Sequence, residues 1–330
     1  MFAEAIEDIL KDQCTPAAVR AIEAGGSPAG LWDAIADAGF LELLAPEADG
    51  GAGLPLAELF PVLTTLGRYA TPVPIAQSIA ARALLSGKAE IPAGMLTLAS
   101  ACRRTSDGQT TCPITPFGML ADHVLADDEG TLVLLSCDGA RRSSVQVHGN
   151  LSATLTWKAD VKAVRIDGLG SALPVFGAAL HAALLCGAMS RVFEMTLQYA
   201  NDRSQFGRSI GKFQAIQHQI SVMAEHVAAA SVAAEAAFSG DSPLPSLLPA
   251  AIAKSRTSEA TVLVASIAHA VHGAIGITEE YDLQLLTRRL HEWRIAHGSE
   301  AYWNMIVGRS VLASTLPTVT DFVRSVDPAN

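Results

Sequence analysis

The carboxy-terminal half of this chain is a succession of long helical stretches, interrupted at one unusual place. From Leu173 to Asn201 the sequence is apolar and rich in alanine; then Asn201–His218 brings together Arg203, Gly207, Arg208 and Gly211 before helical spacing resumes at Ile216, Ile220, Met223 and Val227. Four helices are predicted, at about 173–201, 213–238, 247–272 and from 282 into the 310s. Helices of this length with short or medium connections can bury their apolar faces only against one another, which reads as an up-and-down four-helix bundle.

The remainder has two other textures. Residues 1–93 are helical in pattern: Leu31, Ile35 and Ala38 share a face that Gly39 should end, and Leu56, Leu59, Leu63 and Leu66 share another that Gly67 should close, with a kink at Pro61. The middle, 94–168, carries short β-branched runs at Met95–Ala99, His123–Leu125, Thr131–Leu135, Ser144–Val147 and Val161–Ile166, separated by Gly, Asp, Asn and Ser. These predict a small antiparallel barrel or sandwich. The expected fold is therefore mainly α with a small β domain: an N-terminal helical domain (1–93), a middle β domain (94–168) and a C-terminal four-helix bundle (169–330).

Charge and composition narrow the function. Thirty-three acids against 23 Lys and Arg leave a net charge of −10, which repels phosphate backbones and anionic lipid. Aromatic residues are 5% of the chain, too few for a single-strand stacking platform. The five cysteines are an odd number without a CxxC pair, so a zinc site is not expected and a reducing cytoplasm fits. MFAEAIEDIL is acidic rather than basic, unlike a signal peptide. Leu173–Met189 is shorter than a comfortable membrane span of about 20 residues and is read as a buried helix.

No Walker loop, HExxH or GxGxxG motif is present. His218 and His226 lie eight apart on one predicted helix, and a metal there would need further convergent ligands. Two segments carry more. Arginines and glycines at 203–211, where one helix ends and another begins, make either an anion site suited to a pyrophosphate or a glycine-punctuated turn whose arginines cap a helix. His269–Tyr281 holds Gly273 and Gly276, which either let backbone approach a ligand or form a helix cap and tight turn.

Together these segments resemble the flavin-dependent acyl-CoA dehydrogenases. Arg-x-Gln-Phe-Gly-x-x-Ile-x-x-Phe-Gln at 203–214 is similar to that family's hallmark at the start of its second bundle helix, and His-Gly-x-Ile-Gly-x-Thr-x-Glu-Tyr at 272–281 to its second signature. Pro46–Leu54 and Leu66-Gly67-Arg68 resemble its amino-terminal Gly-Gly loop and Leu-Gly-Arg helix end. The resemblance implies FAD, shared across a subunit interface. Arg203 would pair with the pyrophosphate; Gln205, Phe206, Ile210, Phe213 and Gln214 would line the same cofactor; Gly273, Ala274 and Gly276 would let backbone approach the dinucleotide. It also implies a same-fold partner subunit or a homo-oligomer, an acyl-CoA substrate and electron-transfer flavoprotein as acceptor.

The departures from the family fall elsewhere. Family members place a carboxylate base in a carboxy-terminal turn that here reads Ile295-Ala296-His297-Gly298-Ser299-Glu300, or near the start of the first bundle helix, where Phe176, Gly177 and Ala178 stand. The substrate-positioning arginine expected near Ala178 is missing, and the β domain lacks a Thr-Glu-Pro-x-x-Gly-Ser-Asp stretch, with Pro113–Gly118 the nearest Pro/Gly run. In the second signature Ala270 replaces a Gln and Ala274 a Gly. His297, and Glu300 three residues on, are the candidates for a replacement base. The pattern predicts a non-catalytic subunit that completes the FAD site of a heteromeric acyl-CoA dehydrogenase, of the bacterial kind that the resemblance associates with steroid side chains. The alternatives are a self-sufficient homo-oligomer with an unusual base, and a flavin-free scaffold subunit.

Overall fold

The structure, a computed structural model, describes residues 1–158 and 161–326. The chain forms two compact units, one built from Met1–Val62, Thr71–Leu180 and Asp241–Pro245, the other from Leu63–Ala70, His181–Gly240 and the residues from Ser246 onward.

The first unit opens with α1 (Phe2–Gln13), α2 (Pro16–Glu23) and α3 (Ala29–Asp37), continues into α4 (Leu56–Arg68), and carries α5 (Ile75–Leu85). Thr15 caps α2 by accepting from the Ala18 amide at 3.2 Å, with Pro16 at the first helical position. Leu31 and Ile35 are buried as their spacing requires, but Ala38 is exposed, and the chain turns at Gly39 with φ 80°. Helix α5 docks on the sheet through Ser78, whose hydroxyl donates to the Leu96 carbonyl (2.8 Å) and accepts from the Leu96 amide (3.1 Å).

Two four-stranded sheets follow. β1 (Leu96–Ala99), β4 (His123–Asp128), β5 (Thr131–Ser136) and β8 (Ala163–Ile166) form one in that order; β2 (Arg103–Arg104), β3 (Thr110–Thr115), β7 (Ala153–Trp157) and β6 (Arg141–Ser144) form the other. One apolar core joins them: Val124, Ala126, Val133 and Leu135 from the first sheet, Cys112, Ala153, Leu155 and Trp157 from the second. The Trp157 indole N–H donates across to the Ser136 carbonyl at 2.7 Å. Two expectations are corrected here. β1 pairs with β4 in parallel, so the sandwich is not wholly antiparallel. The strand expected at Ser144–Val147 lies at Arg141–Ser144.

The second unit is helical. Helix α6 (Ala172–Asp202) runs into it, followed by a hairpin of β9 (Ser204–Gln205) and β10 (Arg208–Ser209), then α7 (Gln214–Ala236), α8 (Leu247–His272), α9 (Leu283–Ile295), α10 (Glu300–Ala313) and α11 (Val319–Val326). The expected fourth bundle helix is thus two helices. His297 and Gly298, both at positive φ (53° and 96°), turn the chain between them. Helix α6 has 31 residues and is long enough to span a bilayer, so its length does not exclude a membrane; 89% burial of its most apolar window marks it as a core helix. The stretch Leu247–Ile277 is also long and apolar enough, with 44% of its window buried.

Gly67 does not stop α4, which continues to Arg68. It lets two helix backbones meet instead. A Cβ at Gly67 would lie 2.1 Å from the Leu184 carbonyl oxygen, and one at Gly187 would lie 1.8 Å from the Thr64 oxygen, so α4 and α6 cross glycine against backbone in both directions. Beside the crossing, both Arg68 Nη atoms donate to the Glu194 carboxylate at 2.8 Å, a two-point ion pair that holds that carboxyl below the usual carboxylate range.

Candidate cofactor-binding site

The interrupted segment between α6 and α7 is a two-residue β-hairpin. Gln205 pairs with Arg208 and Ser204 with Ser209, leaving Phe206 and Gly207 at the tip with φ of 52° and 80°. Two successive positive-φ residues are what a type I′ hairpin requires, and its preferred pair is Asn-Gly. Gly207 fits; Phe206 is held in a left-handed conformation that disfavours a bulky side chain. Its ring is also 92% exposed. An aromatic ring that is both strained and in water has no role in this chain's own core.

The hairpin stands on a small apolar cluster of Ala200, Ile210 and Val271, with Phe213, Ile216 and Ile220 packed against it. Phe206 meets Phe213 edge-on at 6.3 Å, and the Arg208 guanidinium lies 4.2 Å above the Phe213 ring. The Ile210 amide donates to the Arg203 carbonyl at 2.8 Å, which pins the backbone beneath Arg203. Among the described residues neither Arg203 nor Arg208 forms an ion pair or caps a helix carbonyl. Of the two expectations for this segment, arginines used as helix caps is the one the geometry does not support.

The second motif forms the opposite wall. Helix α8 ends at His272, and Gly273 follows with φ 63° and ψ −145°, close to a region essentially reserved for glycine. The His272 ring stacks on Tyr199 at 4.4 Å, and Tyr281 closes edge-on against Tyr199 at 6.0 Å. His272 Nδ1 donates to the Ala268 carbonyl at 2.8 Å, and burial holds the ring below the usual imidazole range, so it is a neutral ring with its proton on Nδ1.

Between the walls lies a cavity of about 810 Å³ lined by Arg203, Gln205, Phe206, Ile210 and Phe213 on one side, and by Tyr199 and 270–275 on the other. Of the residues singled out from sequence, Gln214 and Gly276 are not in this lining. Gly276 is buried; a Cβ there would meet His272 Cβ at 3.0 Å and Leu283 Cδ2 at 3.1 Å, so its smallness serves packing. Tyr199 was missed: nothing in its local sequence marks it, and only the return of α8 against α6 places it in the wall. A guanidinium without an ion pair, an amide, an exposed aromatic ring and apolar side chains are a set that fits the phosphate-bearing, aromatic half of a dinucleotide.

His297 and Glu300 lie outside that cavity. His297 is 6% exposed, its carbonyl accepts from the Trp303 indole at 2.9 Å, and its ring stands 5.0 Å from that of buried His181. Glu300 is bound to Arg294, Nε to Oε2 at 3.0 Å and Nη2 to Oε1, which holds its carboxyl below the usual range. The turn is fixed from below by fully buried Lys254, whose ammonium donates to the carbonyls of Trp293 (3.1 Å) and Arg294 (2.7 Å) and to Ser258 (2.9 Å). Phe176 and Ala178 are buried apolar positions. No group of three or more His, Cys, Asp or Glu suited to a metal occurs among the described residues, and His226 faces Arg256 at 3.1 Å.

Known proteins match this arrangement along most of the chain. Residues 1–90 match the family described as acyl-CoA dehydrogenase, N-terminal domain, and residues 175–312 the one described as acyl-CoA dehydrogenase, C-terminal domain. Acyl-CoA dehydrogenase IpdE2 of Mycolicibacterium smegmatis is 32% identical over 302 residues, covering 88% of this chain and 91% of that protein. IpdE2 of Mycobacterium tuberculosis is 30% identical over 300 residues, covering 88% and 90%. Among solved structures, a variant of the Tcur3481–Tcur3483 steroid ACAD matches with TM-score 0.81 and 25% identity over 94% of this chain and 96% of that one. The ChsE4–ChsE5 complex from Mycobacterium tuberculosis matches with TM-score 0.78 over 96% and 97%, at 22% identity, a likeness of fold.

Proposed function

This chain belongs to the acyl-CoA dehydrogenase family, FAD-dependent oxidoreductases, and within that family we propose that it is the subunit that completes a partner's FAD site rather than the one that takes the substrate's α proton. The observation that carries this is the hairpin tip. Phe206 is strained and exposed beside an Arg203 guanidinium free of ion pairs, so the second wall of a cofactor site is built facing out of this chain.

FAD, when bound, supplies the hydride acceptor for α,β-desaturation of an acyl-CoA. This chain's part is binding and orientation. Arg203 would meet the pyrophosphate, Gln205 would hydrogen-bond along it, and Phe206, Ile210 and Phe213 would exclude water from it, with Gly273 and Ala274 bringing backbone close. A same-fold partner would supply the flavin-ring cradle, the base and the acyl-CoA pocket, as the paired names of the Tcur3481–Tcur3483 and ChsE4–ChsE5 complexes support. The steroid ACAD among the matches supports a bulky CoA thioester as the complex's substrate. Electron-transfer flavoprotein is the expected acceptor, and the cytoplasm the expected compartment.

The state of the two candidate bases supports the same division of labour. A base must reach its proton and have a pKa near the working pH. Glu300 is engaged at both oxygens and held acidic by Arg294. His297 is buried against His181 in a turn pinned by Trp303. The second reading, a self-sufficient homo-oligomer, rests on His297 alone, since it occupies the turn where the family keeps a base.

Co-expression with a longer same-fold homologue tests the proposal. Arg203→Ala in this chain should lower FAD retention of the purified complex by about 10- to 150-fold, the loss of a charge-assisted hydrogen bond of about 1.5–3 kcal/mol. Unchanged FAD retention would favour the flavin-free scaffold and overturn the proposal.

A further inference from the structure

The cysteines, read from sequence as an odd number without a CxxC pair, include two that the β-sandwich brings face to face. β2 and β3 are the arms of a hairpin whose register pairs Arg103 with Thr111 and Arg104 with Thr110. One step further the same register sets Cys102 opposite Cys112. The turn fixes which kind of pair this is. The Thr105 amide donates to the Gln109 carbonyl at 2.9 Å, making 105/109 a hydrogen-bonded pair. Hydrogen-bonded and non-hydrogen-bonded pairs alternate along an antiparallel ladder, so 104/110 is non-bonded, 103/111 bonded and 102/112 non-bonded. The Cys102 amide accordingly points away, donating to the Asp127 carbonyl at 2.6 Å. A non-bonded pair has the closer side chains, with Cα atoms about 4.5 Å apart, inside the range that a disulfide spans.

We propose that Cys102 and Cys112 are a reversible thiol–disulfide pair, oxidised by hydroperoxide to a covalent staple across the β2–β3 hairpin. The two are chemically unequal. Cys112 is fully buried in the sandwich core, whereas Cys102 is only partly buried. Hydrogen bonding between the two sulfurs holds the Cys102 thiol below its usual range and pushes the Cys112 thiol up; burial and Asp128 oppose the first effect, and Arg165 and Arg104 add to it. A partly exposed thiol held below its usual range beside a fully buried thiol held above it is the arrangement of an attacking and a resolving cysteine.

The chemistry balances in two steps. The Cys102 thiolate attacks one peroxide oxygen; an S–O bond forms, the O–O bond breaks, and hydroxide leaves to be protonated to water. Cys112 then attacks the sulfur of the resulting sulfenic acid; the S–S bond forms, the S–O bond breaks, and the Cys112 proton leaves with the hydroxyl as a second water. The two thiols lose two electrons and the peroxide gains them. Cys137 lies in the same core, and burial pushes its thiol up to about 11, so it is the poorer competitor.

The test uses the whole purified protein, reduced, freed of reductant and exposed to a small excess of hydrogen peroxide. Alkylation with N-ethylmaleimide under denaturing conditions should label two fewer cysteines than in the untreated chain. Trypsin cutting at Arg103 and Arg104 separates Cys102 from the 105–141 peptide, which carries both Cys112 and Cys137, and fragmentation of the linked pair assigns the bond to Cys112. Dithiothreitol should restore both thiols. Cys137→Ser should form the same link and Cys102→Ser should not. Labelling of all five cysteines, oxidation of Cys102 to sulfinic acid without a link, or a link to Cys137 would each overturn the proposal.

Discussion

Arg294 grips Glu300 across the turn that carries His297: Nε donates to Oε2 at 3.0 Å while Nη2 donates to Oε1. The pair satisfies both oxygens of the only carboxylate that the sequence offers near the family's base position. Its consequence is structural, since a carboxyl held acidic by a guanidinium is a weak acceptor for a carbon acid's proton.

Glu300→Gln should therefore leave kcat of the active complex within about threefold, less than 1 kcal/mol of barrier. It should cost about 1 kcal/mol of stability at neutral pH, since the pair is partly solvated. A carboxyl held below its usual range stabilises the fold above that range and loses the contribution as pH falls through it. The denaturation midpoints of the wild type and the variant, separate at pH 7, should converge below the usual carboxylate range.

Phe206→Asn separates strain from function. The change gives the hairpin the Asn-Gly tip that a type I′ turn prefers and removes an exposed ring. Thermal denaturation of the isolated chain should show equal or higher stability, by up to about 1 kcal/mol, because asparagine tolerates the left-handed region. FAD retention by the complex should fall. A variant that lowers the isolated chain's stability would show that the ring serves this chain's own fold.

Gly187→Ala tests the crossing of α4 and α6. A Cβ 1.8 Å from the Thr64 carbonyl oxygen forces two backbones apart, and the expected loss is about 3 kcal/mol or more by urea denaturation. Gly308→Ala, in helix α10 with nothing within 4 Å of the new carbon, should act oppositely, raising stability by about 0.5–1 kcal/mol.

Lys254 makes a pH signature. Burial lowers its ammonium to about 7 although it donates to three oxygens. The unfolded chain then holds a proton that the folded chain has released, so this residue adds stability as pH rises from about 7 toward the ordinary lysine range, and the gain is absent below 7. Lys254→Met should flatten that rise in a series of denaturation midpoints between pH 6 and 10.

The helices were legible because their signals are long. Ile216, Met223 and Val227 repeat at the helical period, and α7 and α8 fall within two residues of their expected ends. The break at His297 was legible only through the family resemblance, which puts a turn at 295–300; in the local pattern Gly298 sits amid helix-compatible residues. Three of the eight sandwich strands, β2, β3 and β7, were missed for a related reason. β7 is Ala-Thr-Leu-Thr-Trp, an alternation of buried and half-buried residues that period two could have found, but its threonines resemble loop. β3 hides behind Pro113, tolerated because the register shifts between Cys112 and Thr115. The site was legible where chemistry is written locally, at Arg203–Phe213 and His272–Gly273. It was not legible at Tyr199, or at Cys102 and Cys112, which become neighbours only through a strand register.

The most direct measurement is the visible absorption spectrum of this chain purified alone and again in complex with a longer same-fold partner, before and after adding acyl-CoA thioesters. A flavin spectrum that bleaches only in the complex is the expected result. Full flavin occupancy and bleaching by this chain alone would contradict it, and would make His297 the residue to explain.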